Sequence, residues 1–479
     1  MTRDAGMMAR PLTAAAPLEY YAPSARAARP MLRVKRSFAD RYFAFLCICL
    51  LGYALGGRGF AYLGLNPLFI GEIMLIVGCF VLLKSGTINK LLGIRWFIPV
   101  FMFMGWGAAC TIPYLDKYQK DAIRDAVIWG YGTYAFIIAG LLIQDPTRVQ
   151  KLILYYRKFV IAFLLLGPVV SVLCSFFEAS LPTLPGTGVP IIQVKGGDMC
   201  VHLGGSFAYI VALGSNMNPW IPAIFMPINL GLNLQGRAGM VSFFVACFMT
   251  MVLRPFHPRA MRIFFVLGLA MFFLWASDIR VEKGARELSF EQVIKGFSSI
   301  VSESDDTALS GSKEWRMKWW TDIVNYTVHG KYFWMGKGFG VNLASDDGYS
   351  VDAEESLRSP HNGHMTMLAR TGVPGFGIWV LLQMTWALMI VRAYFRARSR
   401  KHMNWSGMFM FIGAYWAAFM ANTTFDVFLE GPMGGIWFWC IYGAGIGCVY
   451  VYRRHPELLT PARKPPTAYR PPPALPITQ

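Results

Sequence analysis

The sequence predicts an all-α polytopic membrane protein of about twelve transmembrane helices. Three observations carry that reading. Hydrophobic residues make up 55% of the 479 positions and charged residues only 15%, against roughly 25% charged in an ordinary soluble domain. The mean hydropathy is positive. The apolar residues also gather into long runs, and a spanning helix needs about 20 of them. The net charge of +18 on so charge-poor a chain does not describe a soluble nucleic-acid binder.

Apolar runs fall at roughly 42–57, 67–83, 96–113, 125–143, 157–177, 204–216, 219–234, 238–253, 261–277, 374–394, 406–422 and 434–452. They divide the chain into a basic tail (1–41), nine spans (42–277), a large outer segment (278–373), three spans (374–452) and a tail (453–479). The first tail lacks the apolar core of a signal peptide. The last, with Pro465-Pro466 and Pro471-Pro472-Pro473, reads as disordered.

Positive residues gather on the cytoplasmic side of a bilayer. Lys84, Lys90 and Arg95 lie in the second connection, Arg148 and Lys151 in the fourth, and Arg254 and Arg259 in the eighth. Arg396, Arg398, Arg400 and Lys401 lie in the tenth, and Arg453 and Arg454 follow the last span. Both termini therefore read as cytoplasmic. Keeping the sixth and seventh runs separate is what leaves Arg254 and Arg259 inside. Contact with anionic membrane lipid also follows from these charges.

The nine cysteines add little. Cys200 alone lies in a polar stretch and no CxxC pair exists, so no zinc or redox motif is expected. Residues 278–360 hold ten basic and fourteen acidic residues, more than half of the protein's acids. Two weakly amphipathic stretches lie there, at Leu288, Val293, Ile294, Phe297 and at Trp319, Trp320, Ile323, Val324. They pack on the bundle or lie on the membrane surface.

Three outer elements combine polar residues with special backbone positions. In Gln235-Gly236-Arg237-Ala238-Gly239, an arginine at the mouth of the bundle grips phosphate oxygens or snorkels from a helix end. In Trp315-Arg316-Met317-Lys318-Trp319-Trp320, Arg316 and Trp320 share a helical face. The alternative there is an interfacial aromatic cluster. Downstream, Gly336-Lys337-Gly338-Phe339-Gly340 reads as a flexible turn, since its lysine spacing is wrong for a P-loop. In Ser359-Pro360-His361-Asn362-Gly363-His364, Ser359 suits an N-cap and Pro360 the first helical position. His361 and Asn362 then fall in the first turn of a helix that breaks near Gly372 and Pro374. A neutral histidine there is a general base or a capping residue.

Taken in order, these residues resemble the O-antigen ligase and Wzy-type polymerase superfamily. The resemblance rests on about twelve spans, Gly236-Arg237-Ala238-Gly239, the late outer loop, Arg316 with Trp320, the glycines 336, 338 and 340, and His361-Asn362 leading to Leu368, Gly372 and Gly375. Family members more often carry Ser-Arg-Gly where this chain has Gly-Arg-Ala. The resemblance implies a GT-C-like, metal-independent glycosyltransferase without a cofactor, in a bacterial inner membrane with its site on the periplasmic face. The donor it implies is a glycan on undecaprenyl diphosphate. Arg237 and Arg316 would bind the diphosphate, His361 would act as base, and Asn362 and Trp320 would orient substrate. The acceptor is the lipid A core, a second lipid-linked glycan or a protein hydroxyl. The competing reading is a transporter, whose intramembrane charges and repeated halves this sequence lacks.

Overall fold

The computed structural model describes residues 37–66, 68–233, 237–277, 281–283, 286–288, 307–351 and 357–459. The Pro-rich tail beyond Leu459 and most of the first amphipathic stretch lie outside the described residues.

The helices are α1 (Phe38–Ala61), α2 (Ile70–Lys84), α3 (Ile88–Leu92), α4 (Ile98–Thr111), α5 (Leu115–Tyr118), α6 (Lys120–Gly130), α7 (Thr133–Gln144), α8 (Arg148–Phe176) and α9 (Gly196–Leu213). There follow α10 (Trp220–Asn233), α11 (Arg237–Leu253), α12 (Pro258–Ser277), α13 (Thr307–Val328), α14 (Leu343–Asp347), α15 (Gly363–Ser399), α16 (Met403–Thr423) and α17 (Pro432–Arg454). Each of the twelve apolar runs overlaps a helix, and the sixth and seventh stay separate as α9 and α10. Among the described residues, seven helical segments are long and apolar enough to cross a membrane by length and composition alone. Two short hairpins accompany the helices. Gly64–Leu65 pairs antiparallel with Leu68–Phe69, and Val281–Lys283 with Arg286–Leu288. Both hairpins are too short to leave an alternating pattern in the sequence.

The core lies among α7, α9, α11, α16 and α17. Close approach of α7 and α17 depends on small residues. A Cβ on Gly443 would stand 2.3 Å from the Ala135 carbonyl oxygen, and one on Gly447 3.2 Å from Ala139 Cα. Without side chains in the way, backbones pack by dispersion, which is the means available where lipid removes the hydrophobic drive. Trp386, Trp439, Tyr134 and Tyr442 fill the space around this seam and are fully buried.

The bundle has two polar ends. At one, Arg148 donates to Asp40 Oδ1 at 3.0 Å, Arg254 to the carbonyls of Val211 and Ala212 at 3.0 Å, and Gln150 to the Leu458 carbonyl at 2.8 Å. At that end α8 therefore holds both α1 and the segment that follows α17. The starts of α9, α11 and α15 and the end of α16 form the other.

Candidate functional site

The second end is organised around the turn between α16 and α17, at Phe425 and Asp426. Asp426 Oδ1 lies 3.8 Å from His361 Nδ1, and both Asp426 oxygens lie 3.5 Å from Lys195 Nζ. Its own chain holds it through the Val427 amide at 2.8 Å. Burial alone would raise the Asp426 carboxyl. The His361 hydrogen bond and the Lys195 charge override that and hold it at about 2. Asp426 is therefore ionised at neutral pH, facing an imidazole and an ammonium. Arg316 Nη1 donates to the neighbouring Phe425 carbonyl at 3.4 Å.

Local sequence places His361. The helix it precedes begins at Gly363, with Asn362 as the N-cap. Asn362 Oδ1 accepts from the amides of His364 at 2.9 Å and Met365 at 3.1 Å. This corrects the expectation that Ser359 caps the helix and that His361 and Asn362 lie within its first turn. Trp320 Nε1 donates to the Pro360 carbonyl at 2.9 Å, and His361 takes a left-handed φ of +51°. That reversal separates Pro360 from helical geometry, so the cap falls three residues later. A non-glycine residue rarely holds such a φ, and it persists where neighbours over-determine it. Here Trp320 grips one side and the Asn362 cap the other. The His361 side chain stays 31% exposed, open to a substrate.

Arg316 and Trp320 do share a face of α13, one reaching Phe425 and the other Pro360. Arg237 is the first residue of α11, and Gln235 and Gly236 lie outside the described residues. Two residues on, Gly239 sets the helix against α9, since a Cβ there would stand 2.7 Å from Gly197 Cα. The start of α11 is thereby held beside the start of α9, which Lys195 precedes.

The glycine-rich turn is not a flexible one. Gly336, Gly338 and Gly340 have φ of +63°, +76° and +100°. A Cβ on Gly338 would strike the Tyr114 ring at 2.0 Å. The amides of Lys337 and Gly338 bond the carbonyls of Ala369 and Arg370 at 2.7 and 3.1 Å. The turn is thus packed onto α15 beside its kink at Gly372, whose φ is +68° and ψ −174°. Asp125 completes the brace, binding Arg358 at 3.2 Å, Arg370 at 3.0 Å and the Gly340 amide at 3.1 Å. Beside the brace, burial raises the Glu430 carboxyl against the pull of Arg370, Thr366 and Ser359.

The sequence reading brought Arg316, Trp320, His361 and Asn362 to one place but passed over Lys195. Asp198, in the first turn of α9, is buried and its Oδ1 has no hydrogen-bond partner among the described residues. Lys195-Gly196-Gly197-Asp198, a charged and glycine-rich start to an apolar run, was the signal available. No group of three or more histidine, cysteine or acidic residues suited to hold a metal ion occurs among the described residues.

Residues 222–380 match the family model described as O-antigen ligase. Over that segment, about a third of the chain, the protein is similar to the O-antigen ligase family. The superfamily read from the sequence is thus supported by a match that spans Arg237, Arg316, Trp320, His361 and Asn362. Lys195 and Asp426 lie outside the matched segment and are joined to it only by the fold. A search of curated proteins found no match.

Proposed function

We propose that this protein transfers a glycan from undecaprenyl diphosphate to an acceptor hydroxyl, as an O-antigen ligase-like, GT-C-type enzyme. The observation that carries the reading is the meeting of His361, an ionised Asp426 and Arg316 at one end of an apolar bundle. Arg237 opens a helix at that same end. The protein would sit in a bacterial inner membrane with twelve crossings, both termini cytoplasmic and the site periplasmic.

The acceptor O–H gives its proton to His361, and the oxygen lone pair forms the new bond to the anomeric carbon. The old bond from that carbon to the diphosphate oxygen breaks, and its electron pair leaves on undecaprenyl diphosphate. Asp426 orients the imidazole and stabilises the imidazolium that forms, since an ionised carboxylate favours the charged partner. Arg237 and Arg316 offset the charge that grows on the leaving group. This assigns charge neutralisation to guanidinium groups and asks for no metal ion. Asn362 acts on His361 through the backbone, as the cap that fixes where the helix begins. Trp320 acts in the same way through Pro360.

The test is a reconstitution with a defined undecaprenyl-diphosphate oligosaccharide, with and without a lipid A–core acceptor. A single shifted lipid A–core product, lost in His361→Ala and Arg237→Ala, supports the ligase assignment. A ladder from donor alone reassigns the protein as a polymerase. Absence of donor binding rejects glycan transfer and favours transport.

A further inference from the structure

Lys195 has no part in the reading above, yet it touches its centre. It is the residue before α9, a helix of 18 residues, and its side chain is 63% exposed. Its ammonium lies 3.5 Å from both Asp426 oxygens, a long and even approach that leaves room for a better partner. A well-formed charge-assisted N–H···O bond is about 2.7–2.9 Å. Gly196 and Gly197 follow, so the positive end of the helix dipole lies directly behind the lysine. The Gly197–Gly239 approach brings the opening of α11, and with it Arg237, alongside. Two helix starts thus lie together with Lys195 beside Asp426, with His361 on the carboxylate and Arg316 at the adjacent carbonyl.

We propose that Lys195 is a third cationic ligand of the donor's diphosphate, and that it reaches the phosphate by giving up Asp426. The inference rests on the diphosphate-donor reading above. The exchange has a chemical consequence. While Lys195 pairs with Asp426, the carboxylate divides its field between an ammonium and the imidazole. Once phosphate oxygens hold the lysine, Asp426 serves His361 alone, and a cation has left the neighbourhood of the base. Asp198, whose carboxyl burial pushes up to about 7, and Arg316 at Phe425 are the other ionisable groups beside this exchange among the described residues. Donor binding therefore prepares the base for the acceptor, and an ordered reaction follows, donor first.

The experiment is calorimetric titration of the detergent-solubilised full chain with inorganic pyrophosphate. Lys195→Met is expected to weaken binding about 10-fold, in line with one charge-assisted hydrogen bond. Lys195→Arg is expected to recover most of it, since it keeps the positive charge. Asp426→Asn is expected to tighten pyrophosphate about threefold, because the lysine loses its competing partner. The same variant lowers turnover in the transfer assay, because His361 loses its carboxylate. Thermal unfolding checks that every variant is folded. Unchanged affinity in Lys195→Met overturns the proposed ligand. Weaker or unchanged affinity in Asp426→Asn overturns the exchange. Wild-type protein that ignores pyrophosphate overturns the diphosphate site as a whole, which separates failure of the underlying reading from failure of the role given to Lys195.

Discussion

The two polar ends of the bundle use the same kinds of side chain to opposite effect. At the Arg148 end, that arginine is buried and donates to Asp40, to the Leu141 carbonyl at 2.7 Å and to Gln144 at 2.8 Å. At the His361 end, contacts are longer and one-sided. Asp426 stands 3.5 Å from Lys195 and 3.8 Å from His361, and both of those side chains remain accessible. The lesson concerns what a charge has left to give. A cation saturated by buried acceptors holds helices together, and nothing further can approach it. A cation held at arm's length beside an ionised carboxylate still has capacity for substrate.

The contrast breaks most sharply at His361. His361→Ala is expected to lower transfer about 1,000-fold, the range of a lost general base, with only a small fall in unfolding temperature from the lost contact with Asp426. A fall in stability that matches the loss of activity would place His361 with the structural charges instead. The mirror substitution is Arg148→Met. It leaves Asp40 to Lys151 and takes the donor from the Leu141 and Gln144 oxygens, and is expected to cost about 2 kcal/mol of stability, read as earlier thermal unfolding. Transfer per folded molecule should stay at the wild-type level.

The next effect is a pH dependence. Asp426 sits at about 2, below its usual 3.8. A carboxyl depressed in the folded state contributes stability that is present above pH 4 and is lost as pH falls from about 4 to about 2. The contribution is about 2 kcal/mol. Asp426→Asn should flatten that part of an acid-unfolding curve, and a variant that unfolds with acid as the wild type does would count against the ion pairing. The smallest effect is at Asn362. Asn362→Ala removes a helix cap and is expected to cost about 1 kcal/mol, with transfer reduced and Asn362→Asp keeping most of both. If the Ala variant lost activity with no loss of stability, the side chain would be touching substrate directly.

Much of the bundle was legible from composition because a membrane demands it. Apolar runs long enough to span and basic residues grouped on alternate connections follow from the solvent alone. The polar elements around Arg316 and His361 were legible because tryptophan, arginine, histidine, proline and glycine are conspicuous in an apolar chain. What escaped was register and partnership. The helix start moved from Ser359 to Asn362 because Trp320, forty residues earlier, holds the Pro360 carbonyl. The turn at 336–340 looked loose because glycine reads as freedom, whereas here it permits positive φ against Tyr114 and α15. Lys195 and Asp426 are 231 positions apart, and nothing in either neighbourhood names the other.

The sequence by itself determined a helical, charge-poor chain for an apolar solvent, its basic connections and the polar elements that hold His361 and Arg316. Those depend on residue type and on spacing within a few turns. Only the tertiary structure decided which charges are saturated and which are left with capacity. That depends on where α9, α15 and α16 end relative to one another, and the depth of each helix is set by small-residue contacts such as Gly197 against Gly239 and Gly363 against Thr423. An ion pair across 231 residues is a product of packing, because the distance between its members is fixed by every helix between them and by neither residue alone.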